Sequence, residues 1–189
     1  ADDKAKLGTA GLTTALLDEG TTTRSSVQIA EEQERLGPSI SAGNSMDRTN
    51  VGLFALKPNL DALLGLLADV IRNPAFAPAE VERLRGQVLT RIAAEKTEPM
   101  AIAQRMLPPL LYGQMHPYGI PFTGSGTEAG VKAVTRADLI TFHDKWLRPD
   151  NATIFVAGDT TLADLLPLLE KRFGDWQAPA AAKGAKLFR

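Results

Sequence analysis

The sequence of 189 residues contains no cysteine at all, only two histidines, and few aromatic residues at 6%. Without cysteine there can be no disulfide and no thiolate zinc centre of the Cys-rich type. Both the cytosol and a bacterial periplasm tolerate that absence. A net charge of -1 removes the electrostatic reason to expect nucleic acid or an anionic membrane as partner. No apolar run approaches the length of roughly 20 residues that a membrane span needs, the longest candidate being the Asp-interrupted stretch from Leu60 to Ile71. That stretch also lacks the basic cluster of an interfacial helix, and its apolar stripe reads as core.

The hydrophobic content of 44% and charged content of 23% are ordinary for a globular domain. The opening Ala1-Asp2-Asp3-Lys4-Ala5-Lys6 lacks the apolar core of a signal peptide and reads like the middle of a longer protein. Ala178 to Gly184 reads as a second linker. The expected organisation is one domain over residues 1–177, followed by a linker or the start of another domain over 178–189.

Periodicity and capping signals predict a helix from Leu7 to Asp18, stopped by Gly20, and a second one capped by Ser25 or Ser26 and ending at Gly37. Ile40 and Ala42 alternate with serines, and Val51 to Leu56 follows a polar turn. These predict a strand, a turn, and a second strand buried on both faces. Asn59 is expected to cap a helix with Leu60, Leu63, Leu64, Leu67, Val70 and Ile71 on one stripe. Pro78 opens the next helix, which carries Val81, Leu84, Val88, Leu89 and Ile92. Met100 to Tyr112 predicts a helix broken at Pro108-Pro109, and Gly113 to Gly126 a loop. Thr135 caps a helix closed by Pro149, Ala152 to Ala157 predicts a short apolar strand, and Thr160 or Thr161 starts a last helix. The pattern is α+β, a mixed or antiparallel sheet with helices on one face, and with only about three strands.

Three blocks resemble one family. The first runs from Gly11 to Thr21 with Arg24, ahead of a helix ending in Leu36-Gly37. The second is His116-Pro117-Tyr118-Gly119-Ile120-Pro121 leading to Gly124 and Thr135-Arg136-Ala137-Asp138-Leu139. The third is Trp146-Leu147-Arg148-Pro149-Asp150-Asn151-Ala152, then Val156-Ala157-Gly158-Asp159 and Phe173-Gly174-Asp175-Trp176. In order and spacing they are similar to zinc metallopeptidase family M16, the insulinase and mitochondrial-processing-peptidase kin. The resemblance implies the M16 metallohydrolase fold, here without the strands that normally precede the first helix.

Active members carry His-x-x-Glu-His on that helix: two histidines hold zinc and the Glu activates its water. By the family's spacing from the Gly-Thr turn, the motif slot falls on Gly11-Leu12-Thr13-Thr14-Ala15. Gly11 and Ala15 stand at the ligand positions and Thr14 at the base position. The window for the third ligand, a Glu roughly 75 residues further on, holds Thr90 and Arg91. The resemblance therefore implies a silent domain with no cofactor of its own. It implies a zinc-bearing M16 half as partner, in the same polypeptide or a separate subunit, and an unfolded peptide between them. The alternative is a purely structural relative, like the core subunits of the respiratory bc1 complex. A bacterial periplasm fits the resemblance, and the chain alone is not expected to hydrolyse peptides.

Other residues have blander readings. His116 is expected to anchor its loop and His143 to lie on a helix surface, in preference to a shared metal site. Glu95 and Glu98 read as solvated carboxylates near Lys96 and Arg91, and not as an acid–base pair. Gly119 to Gly126 reads as a turn, because it lacks the Lys and spacing of a phosphate loop. Tyr118 and Phe122 fit either contact with a peptide or partner half, or packing on the domain's own helices.

Overall fold

Local sequence signals start most of the helices. In this computed structural model, which describes residues 2–37 and 40–185, the side chain of Ser25 accepts from Gln28 N while Gln28 returns a bond to Ser25 N. This reciprocal cap opens α2 (Ser26–Leu36). Thr135 and Asp138 form the same device at α7 (Arg136–Trp146), and Thr161 caps α8 (Leu162–Phe173). The first helix, α1 (Thr9–Ala15), is shorter than the expected Leu7–Asp18. Gly8 adopts a left-handed φ of 117° before it, and beyond Ala15 the chain tightens into turns.

Strands β1 (Ile40–Asn44) and β2 (Thr49–Leu53) pair antiparallel, with Ile40 opposite Leu53 and Asn44 opposite Thr49. β2 is not buried on both faces as expected. Its residues alternate between half-buried and exposed, because Val51 and Leu53 pack on the core while Asn50 and Gly52 face away. Helix α3 (Leu60–Arg72) begins after Asn59, whose side chain does not cap it. Asn59 Nδ2 instead donates to Leu36 O at 2.9 Å, tying the end of α2 to the start of α3.

Helix α4 (Pro78–Glu95) buries Val81, Leu84 and Ile92. The expected break in α5 (Pro99–Tyr112) does not occur. Pro108 lacks the N–H that would reach Gln104 O, and Phe122 N donates to that carbonyl at 2.9 Å instead. The loop thus repairs the helix. After the short α6 (Glu128–Ala133), α7 packs on α1, and α8 packs on α3 through Arg172 and Lys171, both paired with Asp61 at 2.8 and 2.9 Å.

The core has two lobes that meet just after α1, where Leu16 belongs to one and Leu17 to the other. One contains Leu12, Leu16, Phe76, Val81, Leu84, Ile92, Val131, Val134 and Leu139. The other contains Leu17, Ile29, Ile40, Leu66, Val70 and Leu147, flanked by Phe142 and Trp146. Each fully buried Leu or Ile contributes roughly 1.5–3 kcal/mol.

The predicted strand at Ala152 to Ala157 forms no ladder and is not a strand. Ile154, Phe155 and Val156 are exposed, and no described strand lies beside them to take their backbone bonds. The described chain therefore has two strands and an α+β layout. Residues after Gln177 return to the end of α7, where Arg148 donates to Ala181 O at 2.6 Å and Gly184 N to Lys145 O at 3.1 Å. No helix among the described residues is long and apolar enough to cross a membrane.

Candidate functional site

Helices α1 and α4 lie side by side, bordered by the end of β1 and the loop at Gly124. Gly11, Thr14 and Ala15 fall within one turn of α1 and face the same way. With Gln87 and Arg91 of α4, and Asn44 of β1, they line a cleft of about 490 Å³. Residues 80 positions apart in sequence thus meet at one site. Thr90, the other residue of the third-ligand window, is not in the lining; its Oγ1 donates to Gly86 O at 3.0 Å.

These residues do not suit zinc. Glycine and alanine offer no donor atom, and zinc takes imidazole, thiolate or carboxylate. Thr14 is 1% exposed and its hydroxyl donates to Ala10 O at 2.8 Å. Arg91 brings a positive charge where a metal would need a negative one. Among the described residues no group of three His, Asp or Glu is gathered to hold a metal.

The cleft is framed by a polar cluster that periodicity does not reveal. Glu95 is not a solvated carboxylate: its side chain is 13% exposed and its Oε2 accepts from Arg105 Nη1 and Ser125 Oγ, both at 2.6 Å. Arg105 also donates to Gly126 O at 2.9 Å, so α5 reaches across and fixes the loop to the end of α4. Burial raises the Glu95 pKa, and hydrogen bonds from Ser125, Arg105 and Thr123 outweigh it, leaving a net lowering. Glu98 remains exposed.

Gly126, at φ 77°, is needed at this crossing, since a Cβ there would collide with the Leu7 carbonyl. The Gly119–Gly126 segment is a turn, as expected. Its amide at Phe122 and its carbonyl at Gly126 are spent on the fold itself.

Both histidines are structural. His116 Nδ1 accepts from Tyr118 N at 3.0 Å and its ring stacks on Tyr112 at 5.1 Å, anchoring the loop as anticipated. Tyr118 and Phe122 also lie against Tyr112, which is packing on the chain's own helix. His143 departs from expectation. It is 8% exposed, not on the surface, and its Nε2 donates to Ile71 O at 2.7 Å, joining α7 to the last turn of α3.

The Gly-Thr turn and Arg24 have a shared partner, which sequence reading missed. Thr21 Oγ1, Thr23 Oγ1, Arg24 Nη1 and Asn73 Nδ2 all donate to Asp69, at 2.7, 2.9, 2.6 and 2.9 Å. An aspartate within the apolar stretch Leu60 to Ile71 was the available signal. A second depression of about 530 Å³ lies along α2, where Arg24 pairs with Glu32 at 3.2 Å and Arg35 and Glu31 balance in charge.

Residues 1–124 match the model for insulinase, peptidase family M16, and residues 133–188 match the model for the peptidase M16 inactive domain. The chain belongs to peptidase family M16. An uncharacterized zinc protease of Mycobacterium tuberculosis is 32% identical over 159 residues, covering 84% of this chain and 36% of that protein. The human mitochondrial-processing peptidase subunit beta is 26% identical, covering 89% of this chain and 34% of its own length. The crystal structure of a peptidase M16 inactive domain from Pseudomonas fluorescens superposes with a TM-score of 0.87 at 26% identity, covering 97% of this chain and 44% of that one. A protease from Helicobacter pylori gives 0.89 at 22% identity, with the same two coverages, and supports the M16 fold alone. The chain thus spans between a third and a half of the length of these proteins.

Proposed function

We propose that this chain is a catalytically silent M16 domain, which pairs with a zinc-bearing M16 half and forms one wall of a chamber for unfolded peptides. One observation carries the reading: Gly11, Thr14, Ala15 and Arg91 line a single cleft and supply no group able to hold or activate a zinc-bound water. The match to the inactive-domain model over residues 133–188 agrees with it, as do relatives named as zinc proteases. Zinc belongs to the partner half in this scheme. The chain's own contribution is shape, contacts to the peptide, and a docking surface.

The test is reconstitution. The chain is mixed with an M16 half that carries an intact His-x-x-Glu-His motif from the same organism, and cleavage of an unstructured peptide is followed. Activity that rises only on mixing, with zinc confined to the partner, is the expected result. Stable association with no gain in cleavage would favour the structural-subunit reading. Peptide cleavage and stoichiometric zinc in this chain alone would overturn both.

A further inference from the structure

The cleft has a chemical character of its own beyond the loss of zinc ligands. None of its lining residues is acidic. Arg91 is 59% exposed on its side chain, and its single ionic contact among the described residues is Glu95 Oε1 at 3.9 Å. The other oxygen of Glu95 is held by Arg105 and Ser125 at 2.6 Å, so that carboxylate is committed elsewhere. The side chains of Gln87 and Asn44 form no hydrogen bond among the described residues, and both line the same cleft. The apolar part of the lining is the buried Leu84, the half-buried Val88 and the methyl of Ala15.

A guanidinium with unused donors, two uncommitted amides and neighbouring apolar side chains match a carboxylate carried on a short aliphatic stem. A cation is disfavoured by Arg91, and a purely apolar ligand would leave the guanidinium and amides without partners. We propose that this cleft is a carboxylate-binding site, in which Arg91 pairs with a free carboxylate of a peptide and Gln87 and Asn44 offer the neighbouring hydrogen bonds. The proposal extends the chamber-wall reading by naming what the wall binds, but it concerns this chain without its partner. Failure of reconstitution and failure of carboxylate binding are therefore separate results.

Three peptides test it by NMR titration of the labelled chain: acetyl-tetra-alanine with a free C-terminus, the same peptide as its amide, and acetyl-Ala-Glu-Ala-Ala amide. The free acid is expected to bind at least about tenfold more tightly than the plain amide, the gain typical of a charge-assisted hydrogen bond. Shifts should centre on Arg91, Gln87 and Gly124. If the Glu peptide matches the free acid, side-chain carboxylates are ligands as well; if it matches the amide, the site is specific for chain ends. Arg91→Gln should abolish the preference and Arg91→Lys should retain part of it. Arg91 is exposed, so both variants are expected to keep the parental Tm. Equal binding of acid and amide, no binding of either, or a preference that survives Arg91→Gln would each overturn the proposal.

Discussion

Arg24 Nη1 lies 2.6 Å from Asp69 Oδ2, joining the loop after α1 to the buried side of α3. Asp69 is 8% exposed and collects three further side-chain bonds from Thr21, Thr23 and Asn73. The Gly20-Thr21 turn with Arg24 is therefore a cradle for one carboxylate. Asp69→Ala leaves two hydroxyls, the Asn73 amide and Arg24 Nη1 without their shared acceptor, a loss of about 3 kcal/mol, although Arg24 Nε keeps Glu32 at 3.2 Å. For a chain of this size that corresponds to a fall in Tm of roughly 6–12 °C. Thermal unfolding of the variant checks it, and a Tm within about 2 °C of the parent would show that the cradle is not holding α3.

Acid should destabilise the fold in a defined window. Burial raises the Asp69 pKa, yet its four hydrogen-bond donors outweigh that and leave it lowered; Glu95 behaves alike. Asp138, paired with Lys6 at 2.7 Å and bonded to Thr135, is lowered to about 2. A carboxylate whose folded pKa is depressed contributes stability above its unfolded value, and loses it as pH falls through the folded value. Asp2 and Asp18, raised by burial, work the other way. The lowered groups bridge separate elements, so Tm should be flat above about pH 5 and fall from about pH 4 towards pH 2. Asp69→Asn should make that decline shallower. Calorimetric Tm across pH 2–7 reads both curves.

Much of this architecture follows from short-range signals. Ser25, Thr135 and Thr161 cap helices where their neighbours predict. The stripe Val81, Leu84, Ile92 faces the core because a single helix face sets it. What escaped are features made by residues distant in sequence. Nothing near Pro108 tells that Phe122 will satisfy Gln104 O, and nothing near Glu95 tells that Arg105 will fold back on it. His143 looks like a surface residue on its own helix until Ile71 O is seen beside it. The Ala152–Ala157 strand failed for the opposite reason: its composition suits a strand, but a ladder needs a second chain segment. At the candidate site, the positions of Gly11, Thr14 and Ala15 relative to Arg91 were legible only through spacing shared with a family. The cleft they line was not.

That unpaired segment leads to a prediction about behaviour in solution. Phe155 is 90% exposed between the exposed Ile154 and Val156, in a segment with no ladder partner among the described residues. Apolar edges of this kind promote association between copies. Phe155→Lys should shift the chain towards monomer in sedimentation velocity while leaving Tm within about 1 °C of the parent, since Phe155 is 90% exposed and buries little. Identical sedimentation of parent and variant would show that self-association, if any, uses another face.

The geometry of the cleft can be tested by refilling it. Gly11→His, Thr14→Glu, Ala15→His and Arg91→Glu together place two imidazoles one turn apart on α1, a carboxylate opposite on α4, and a candidate base between. A Cβ is tolerated at Gly11, where it would meet Gly124 O at 3.4 Å and Asn44 Oδ1 at 3.7 Å. The expected outcome is one zinc per chain by elemental analysis after dialysis. A Tm that climbs with zinc should accompany it, because binding to the folded state alone adds about 2.7 kcal/mol at a hundredfold excess over Kd. The triple variant that keeps Arg91 is the discriminating control. It retains both imidazoles but sets a guanidinium where the third ligand should be, so it should bind zinc at least about tenfold more weakly. Equal affinity of the two variants would mean that Arg91 does not occupy the third-ligand position. No zinc uptake by the folded quadruple variant would mean that α1 and α4 do not present these positions to one point.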